Sequence, residues 1–166
     1  MLVRLPPVLL AAVVLHTAVL PQLKVFGVAV DVLLLLAIAA GVTGGPERGA
    51  AVAFGCGLLA DCFLQTPFGL SGLVFALVGY GVGTFQTGVL HAAWWIPALT
   101  SAVATVVGIV GYVGLGAVVG QDQLLSSRVL EVAGVLAVLH ALLTPLAVRA
   151  MRWTIAGDGV PGLLLR

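Results

Sequence analysis

Charge is what this sequence has least of. Only 8% of its 166 residues are charged, and seven Lys and Arg against six Asp and Glu give a net charge of +1. A soluble domain carries roughly 25% charged residues, so this composition excludes an ordinary soluble domain. So small a net charge also offers no polybasic surface, which excludes nucleic acid as a partner and excludes recruitment by anionic lipid headgroups.

Cysteine is scarce as well. Cys56 and Cys62 are six residues apart in one apolar segment, so on a helix they point to different faces and cannot form a disulfide with each other. The sequence also lacks the ligand spacing that is typical of a metal site. We therefore expect no metal and no other cofactor.

Apolar residues fill the chain instead. They make up 61% of it, with a mean hydropathy of +1.25, which predicts a helical integral membrane protein. Spans of about 20 residues leave room for one polytopic domain over residues 1–166. We predict an all-α bundle of about six transmembrane helices, over 5–20, 25–43, 49–64, 68–86, 92–119 and 124–148.

The basic residues predict an orientation. If the N-terminus is cytoplasmic, most of the basic residues fall on the inner side of the membrane, as the positive-inside rule requires. Both chain termini are therefore predicted to be cytoplasmic. The inner residues are Arg4, Arg48, Arg149, Arg152 and Arg166, and the outer ones are Lys24 and Arg128.

A strip of small residues follows one face of the third segment. Gly49, Ala53, Gly57 and Asp61 recur every four residues, and small-residue faces let membrane helices approach closely. An Asp at the centre of a membrane helix costs roughly 2.5–3.5 kcal/mol, so Asp61 needs a partner. We expect this strip to pack on a neighbouring helix, of this bundle or of another protein. Asp61 would accept a hydrogen bond there or cap the next turn.

Other small or acidic residues are weaker candidates for helix contacts. Asp31 precedes the apolar run of the second segment, where a carboxylate caps a helix start as readily as it recognises a partner. Gly79 and Gly83 form a further small-residue pair on the fourth segment. The predicted orientation puts both Asp31 and Asp61 in the outer half of the bundle.

A serine and a histidine suggest a hydrolase. Gly-Leu-Ser71-Gly resembles the nucleophile motif of rhomboid intramembrane proteases, and His140 lies on the sixth segment as their histidine does. However, no glycine follows His140 as in that family, and the second segment lacks the His and Asn that hold the oxyanion. Ser71 is also predicted near the outer surface and His140 in the inner half. With His16, His91 and His140 dispersed, we expect no shared histidine site and no catalysis.

Four motifs occur in a fixed order in the first half of the chain. They are Asp-Val-Leu-Leu-Leu-Leu from Asp31, Gly-Cys-Gly-Leu-Leu-Ala-Asp ending at Asp61, Thr-Pro-Phe-Gly-Leu with Pro67 and Gly69, and Leu-Val-Gly-Tyr with Gly79. In this order and spacing they resemble the bacterial rod shape-determining protein MreD family. The resemblance covers about residues 30–83, and Val30 stands where that family usually has proline.

The resemblance implies a non-enzymatic subunit of the cell-elongation complex in the bacterial cytoplasmic membrane. Its direct partner would be the single-span protein MreC. Through the complex it would support the filament protein MreB and the wall-synthesis pair RodA and penicillin-binding protein 2. The family fold is thought similar to the S components of energy-coupling-factor transporters.

A small-solute transporter or S-component-like binding subunit is the alternative, because one fold hosts several functions. Such a site needs polar groups that converge in a cavity. The candidates are few and are predicted toward the outside: His16, Asp31, Asp61, Gln65, Thr66 and Ser71.

Overall fold

The part of the chain that the computed structural model describes is helical and contains no strand. It covers residues 5–19, 27–63, 67–88, 95–121 and 128–156. Within these ranges there are five helices: α1 Leu5–Val14, continued by a π-helical turn at Leu15–Val19, α2 Val32–Asp61, α3 Leu70–Gly88, α4 Ile96–Val118 and α5 Val129–Ala156. The prediction of an all-α protein is therefore confirmed.

α2 consists of two helical arms joined at Gly45, where the backbone is not helical and the chain folds back on itself. Gly45 has φ +74°, and Pro46 opens the arm that follows, a position where proline is well tolerated. A Cβ added to Gly49 would lie 2.6 Å from the Gly41 Cα, although eight residues of straight helix span about 12 Å. The arms 32–44 and 46–61 therefore run antiparallel. They correspond to the predicted second and third segments. The five residues 44–48 were expected to connect these segments, and that expectation is wrong because Gly45 alone makes the turn.

The first arm of α2 is the centre of the bundle. Residues 33–41 are all buried, which means that neighbours surround this arm instead of covering a single face. α1, α3, α4 and α5 all contact α2. An arm enclosed in this way holds its two ends, near Asp31 and Gly45, in fixed positions relative to the other helices.

Three helices are long and apolar enough to cross a membrane: Val32–Asp61, Ile96–Val118 and Val129–Thr154. The apolar helices Leu5–Ala18 and Leu70–Gln86 are shorter. The first of the three is bent, so its arms are only about 20 and 24 Å long at 1.5 Å per residue. These lengths are compatible with a membrane protein, and they do not confirm the predicted bundle of six transmembrane helices.

Two predicted boundaries differ from the observed ones in a way that affects the site. The second segment was predicted from residue 25, but residues 27–31 are not helical and α2 begins at Val32. The sixth was predicted to end at 148, whereas α5 continues to Ala156. Hydropathy misses both ends, since apolar residues precede α2 and the last turns of α5 contain Arg149 and Arg152.

Candidate functional site

Asp61 ends α2 and caps the start of α3. Its carboxylate accepts hydrogen bonds from the backbone N–H groups of Gly69 (2.8 Å), Ser71 (3.1 Å) and Gly72 (3.3 Å). These are among the N–H groups at a helix start that have no partner within the helix. The prediction that Asp61 finds a donor or caps the next turn is confirmed, and the side chain is only 4% exposed.

The turn between α2 and α3 is shaped to present those N–H groups. Gly69 has φ +99°, a conformation that favours glycine, and the Leu70 N–H donates to the Pro67 carbonyl at 3.2 Å. Gly69 thus turns its N–H toward the end of α2. Gln65 and Thr66, also named as polar candidates, lie outside the described residues.

The small-residue strip packs against α3 of the same chain. A Cβ added to Gly57 would lie 2.4 Å from the Ser71 carbonyl oxygen, and one added to Gly79 would lie 2.7 Å from the Ala53 Cβ. Gly41, Gly49 and Gly79 bring three helix backbones together, a set that we call the glycine crossing. A Cβ added to Gly83 would lie 2.5 Å from the backbone of the Gly45–Pro46 turn. Since Gly49, Ala53, Gly57, Gly79 and Gly83 are all buried, this face is not available to another protein.

Asp31 is the N-cap of α2. Its Oδ1 accepts hydrogen bonds from the Leu33 and Leu34 N–H groups at 3.1 and 3.0 Å, as expected for a carboxylate at a helix start. The same oxygen lies 3.9 Å from the His16 Nδ1, and the two side chains are 29% and 28% exposed. Asp31 is therefore a cap that also has an imidazole beside it.

His140 on α5 is a second imidazole close to Asp31. Its Nδ1 is 2.8 Å from the Thr105 Oγ1, and its exposed fraction is zero. Asp31 acts on this ring through both its carboxylate charge and its backbone. His16, Asp31, Thr105 and His140 thus converge, and we call them the Asp31 cluster.

The sequence predicts Asp31 in the outer half and His140 in the inner half of the bundle, with the histidines dispersed. It does not predict that His16 and His140 both lie near Asp31. Asp31 lies about 20 Å along its arm from the Gly45 turn, and His140 lies about 24 Å from the end of α5 at Ala156. Because α5 extends to Ala156, His140 lies in the first half of that helix and not near its end. Of these residues only Asp31 could be recognised from its local sequence, because it precedes an apolar run as a helix cap does. His91 lies outside the described residues.

Ser71 and His140 do not form a catalytic pair. Ser71 is in α3 and His140 in α5, and the His140 Nε2 has no hydrogen-bond partner among the described residues. The His140 Nδ1 is bonded to Thr105 instead, and nucleophilic catalysis requires the base within hydrogen-bond reach of the serine. The geometry of a rhomboid-like dyad is absent from this part of the chain.

α3 and α4 enclose an apolar groove of about 630 Å³ that is open on one side. Its rims are exposed side chains: Leu77 and Phe85, eight residues apart on α3, and Leu99, Val103 and Val107, four residues apart on α4. Ile96 and Leu115 mark its two ends along α4, about 28 Å apart. We call this the α3–α4 groove.

These observations define a class: in the part of the chain that the structure describes, this is an all-helical protein whose apolar helices are compatible with a membrane protein. Comparison with protein-family models, curated proteins and solved structures found no match to this chain. Its function therefore has to be argued from its own residues.

Proposed function

We propose that this protein is a non-enzymatic membrane subunit of the bacterial cell-elongation complex, of the kind that its four motifs resemble. It lies in the cytoplasmic membrane with both termini inside, and the two arms of α2 count as separate crossings in a six-segment bundle. It binds MreC directly and, through the complex, supports MreB, RodA and penicillin-binding protein 2.

One observation carries this proposal. The motif residues that bear the resemblance act as helix caps and close helix contacts: Asp31 caps α2, Asp61 caps α3, and Gly57 and Gly79 admit neighbouring backbones. Motifs that build a fold are what a scaffold or binding subunit requires. A catalytic motif would instead point reactive side chains into a cavity.

The α3–α4 groove is the surface that we assign to the partner's membrane helix. Its α4 side is about 28 Å long, close to the roughly 30 Å of the hydrocarbon core, and its α3 side, from Val74 to Phe85, is about 17 Å long. Gly81, Ala104 and Gly111 line it, and small residues allow two membrane helices to approach closely. A single-span helix such as that of MreC suits these dimensions, because it would cover both rims along their length.

A matched pair of glycine substitutions tests this assignment. A Cβ at Gly81 would meet no atom within 4 Å, and the same holds for Gly134 on α5. Gly81→Leu should therefore fold and yet fill the groove, whereas Gly134→Leu adds the same side chain outside the groove. We expect Gly81→Leu to lower the amount of MreC that copurifies in mild detergent at least about tenfold, a cost of roughly 1.4 kcal/mol, and to round rod-shaped cells.

The control decides how the result is read. Gly134→Leu should copurify with MreC as the unchanged protein does. If a folded Gly81→Leu variant retains MreC in full, the MreC helix does not bind in the α3–α4 groove. If the unchanged protein brings down no MreC from native membranes, the proposed function itself fails.

The S-component-like alternative has one observation in its favour. The groove volume is within the roughly 300–1,000 Å³ of small-molecule sites. Thr100 is the one lining residue whose side chain carries a hydroxyl, and the Gln86 Nε2 donates to that hydroxyl at 3.4 Å. Because the remaining lining is largely apolar, any solute held there would be apolar as well. Mass spectrometry of the purified protein, with an apolar small molecule present in stoichiometric amount and no partner protein, would favour this alternative.

A further inference from the structure

Tyr80 ends the motif Leu-Val-Gly-Tyr but does not share the buried environment of its neighbour Gly79. A Cβ added to Gly79 would lie 2.7 Å from the Ala53 Cβ, whereas the Tyr80 side chain is 53% exposed. The Tyr80 backbone carbonyl accepts a hydrogen bond from the Thr84 hydroxyl at 2.9 Å, but within the described residues no hydrogen bond reaches the Tyr80 hydroxyl. This motif residue thus turns a polar group toward the outer surface of an apolar helix.

The depth of Tyr80 follows from the contacts between α3 and α4. A Cβ added to Gly108 would lie 3.4 Å from the Val78 side chain, and the Gln86 Nε2 is 3.4 Å from the Thr100 Oγ1, so the two helices are antiparallel. Gly108 is within one residue of the midpoint of the 23-residue α4, and Tyr80 follows Val78 by two residues. In a hydrocarbon core of roughly 30 Å, Tyr80 therefore lies near the centre, where neither water nor a headgroup reaches its hydroxyl.

Tyr80 belongs to a regular seam along the exposed face of α3. We call Leu73, Leu77, Tyr80 and Thr84 the Tyr80 seam; all four are exposed, and they are separated by four, three and four residues. This is the spacing of the a and d positions of a heptad, along which helices pack in coiled coils and in most membrane bundles. Leu77 also borders the α3–α4 groove, and the seam faces about a quarter of a turn away from that groove. Both surfaces can therefore be covered at the same time.

We propose that the Tyr80 seam is a contact between two copies of this chain. Copies in one membrane share one orientation, so a two-fold pair has its axis along the membrane normal and its two α3 helices run parallel. In a parallel heptad contact each seam residue meets its own counterpart. The two Tyr80 side chains then lie at the same depth, and one hydroxyl donates a hydrogen bond to the other.

A second copy fits the seam better than other occupants because Tyr80 is self-complementary. A hydroxyl is both a donor and an acceptor, so two identical seams satisfy each other without any further polar residue. Lipid tails offer neither a donor nor an acceptor at this depth. A helix of another protein would need a polar side chain of its own at the centre of its span, and such residues are rare there. Pairing through the seam leaves the α3–α4 groove open and does not depend on MreC.

The test is the monomer–dimer equilibrium of the full-length protein in vesicles of phosphatidylethanolamine and phosphatidylglycerol. A maleimide dye on the exposed Cys62 allows photobleaching steps to be counted over a range of protein-to-lipid ratios. Tyr80→Phe removes only the hydroxyl, and we expect it to weaken dimerisation roughly three- to tenfold, the usual range for a hydrogen bond between membrane helices. Tyr112→Phe removes the other tyrosine hydroxyl of the chain, which is on α4 and outside the seam, and should leave the equilibrium unchanged.

Disulfide cross-linking is a second measurement that does not depend on the hydroxyl. In a Cys62→Ser background, Leu73→Cys places a thiol on the seam, and Val110→Cys places one on α4 at a position of nearly equal exposure, 48% against 49%. Oxidation should join two copies through Leu73→Cys and not through Val110→Cys. A protein that stays monomeric at every ratio, or a Tyr80→Phe equilibrium equal to that of the unchanged protein, would overturn the proposal. So would a Leu73→Cys variant that cross-links in native membranes only to a different protein.

Discussion

At the scale of single residues, the molecule compensates a carboxylate twice with backbone N–H groups. Asp61 accepts three of them from the start of α3 and Asp31 accepts two from the start of α2. A hydrogen bond to a charged group contributes about 1.5–3 kcal/mol, against roughly 2.5–3.5 kcal/mol for an Asp at the membrane centre. Three such bonds are enough to offset the burial of Asp61, so the acid is retained as a structural link.

Substitution of Asp61 tests this balance. Asp61→Ala leaves three N–H groups without their acceptor, and we expect it to destabilise the protein by about 2–4 kcal/mol. Asp61→Asn keeps one carbonyl oxygen and should cost less. Thermal unfolding in one detergent should therefore rank the proteins Asp, Asn, Ala from most to least stable. Equal midpoints for all three would mean that these hydrogen bonds do not contribute.

At the scale of helices, the contact between the second arm of α2 and α3 depends on residues without side chains. The glycine crossing of Gly41, Gly49 and Gly79 and the contact of Gly57 with Ser71 and Gly72 leave no room for a Cβ. Without a hydrophobic force between helices in lipid, such close packing is the main attraction. The two arms of α2 and α3 thus form the most tightly packed unit of the described chain.

Two glycines in the same arm provide a matched test of this packing. A Cβ at Gly57 would lie 2.4 Å from the Ser71 carbonyl oxygen, whereas one at Gly55 would meet nothing within 4 Å. Gly57→Ala should destabilise by about 1–3 kcal/mol through overpacking, and Gly55→Ala should stabilise by about 0.5–1 kcal/mol through helix propensity. Unfolding midpoints of the two variants should move in opposite directions; a shift of both in one direction would contradict the contact.

At the scale of the whole molecule, the exposed surface of the described helices is largely apolar. Large apolar side chains such as Leu77, Val107, Leu130 and Leu146 are more than half exposed, while the glycine contacts and the Asp61 carboxylate are buried. Such a surface fits lipid and is the reverse of that of a soluble bundle. What remains to be tested is which side of the membrane each end of the bundle faces.

The orientation of the bundle in the membrane can be measured by labelling the two native cysteines, without introducing a new one. Cys62 is exposed at the end of α2 and Cys56 is buried, and the proposed orientation puts the end of α2 outside. A membrane-impermeant maleimide applied to intact cells should therefore label Cys62, and Cys62→Ser should lose all labelling. Labelling that requires broken cells would invert the proposed topology.

The sequence by itself determined the helical class, the membrane composition and the need of Asp61 for a partner. Local chemistry suffices there, because hydropathy reports burial in lipid and a lone acid in an apolar helix has few ways to be satisfied. It also marked Gly49, Ala53, Gly57, Gly79 and Gly83 as helix contacts, and the described structure has all five buried against neighbouring helices.

Only the tertiary structure decided which helices meet. The small-residue strip packs on α3, and not on another protein, because the chain turns back sharply at Gly45. The spacing of apolar residues along the sequence does not predict such a sharp turn. That His16 and His140 both lie near Asp31 depends on the packing of α1 and α5 against α2, which brings residues 124 positions apart into one cluster. Contacts between residues so distant in sequence leave no local pattern, since each helix follows only its own periodicity.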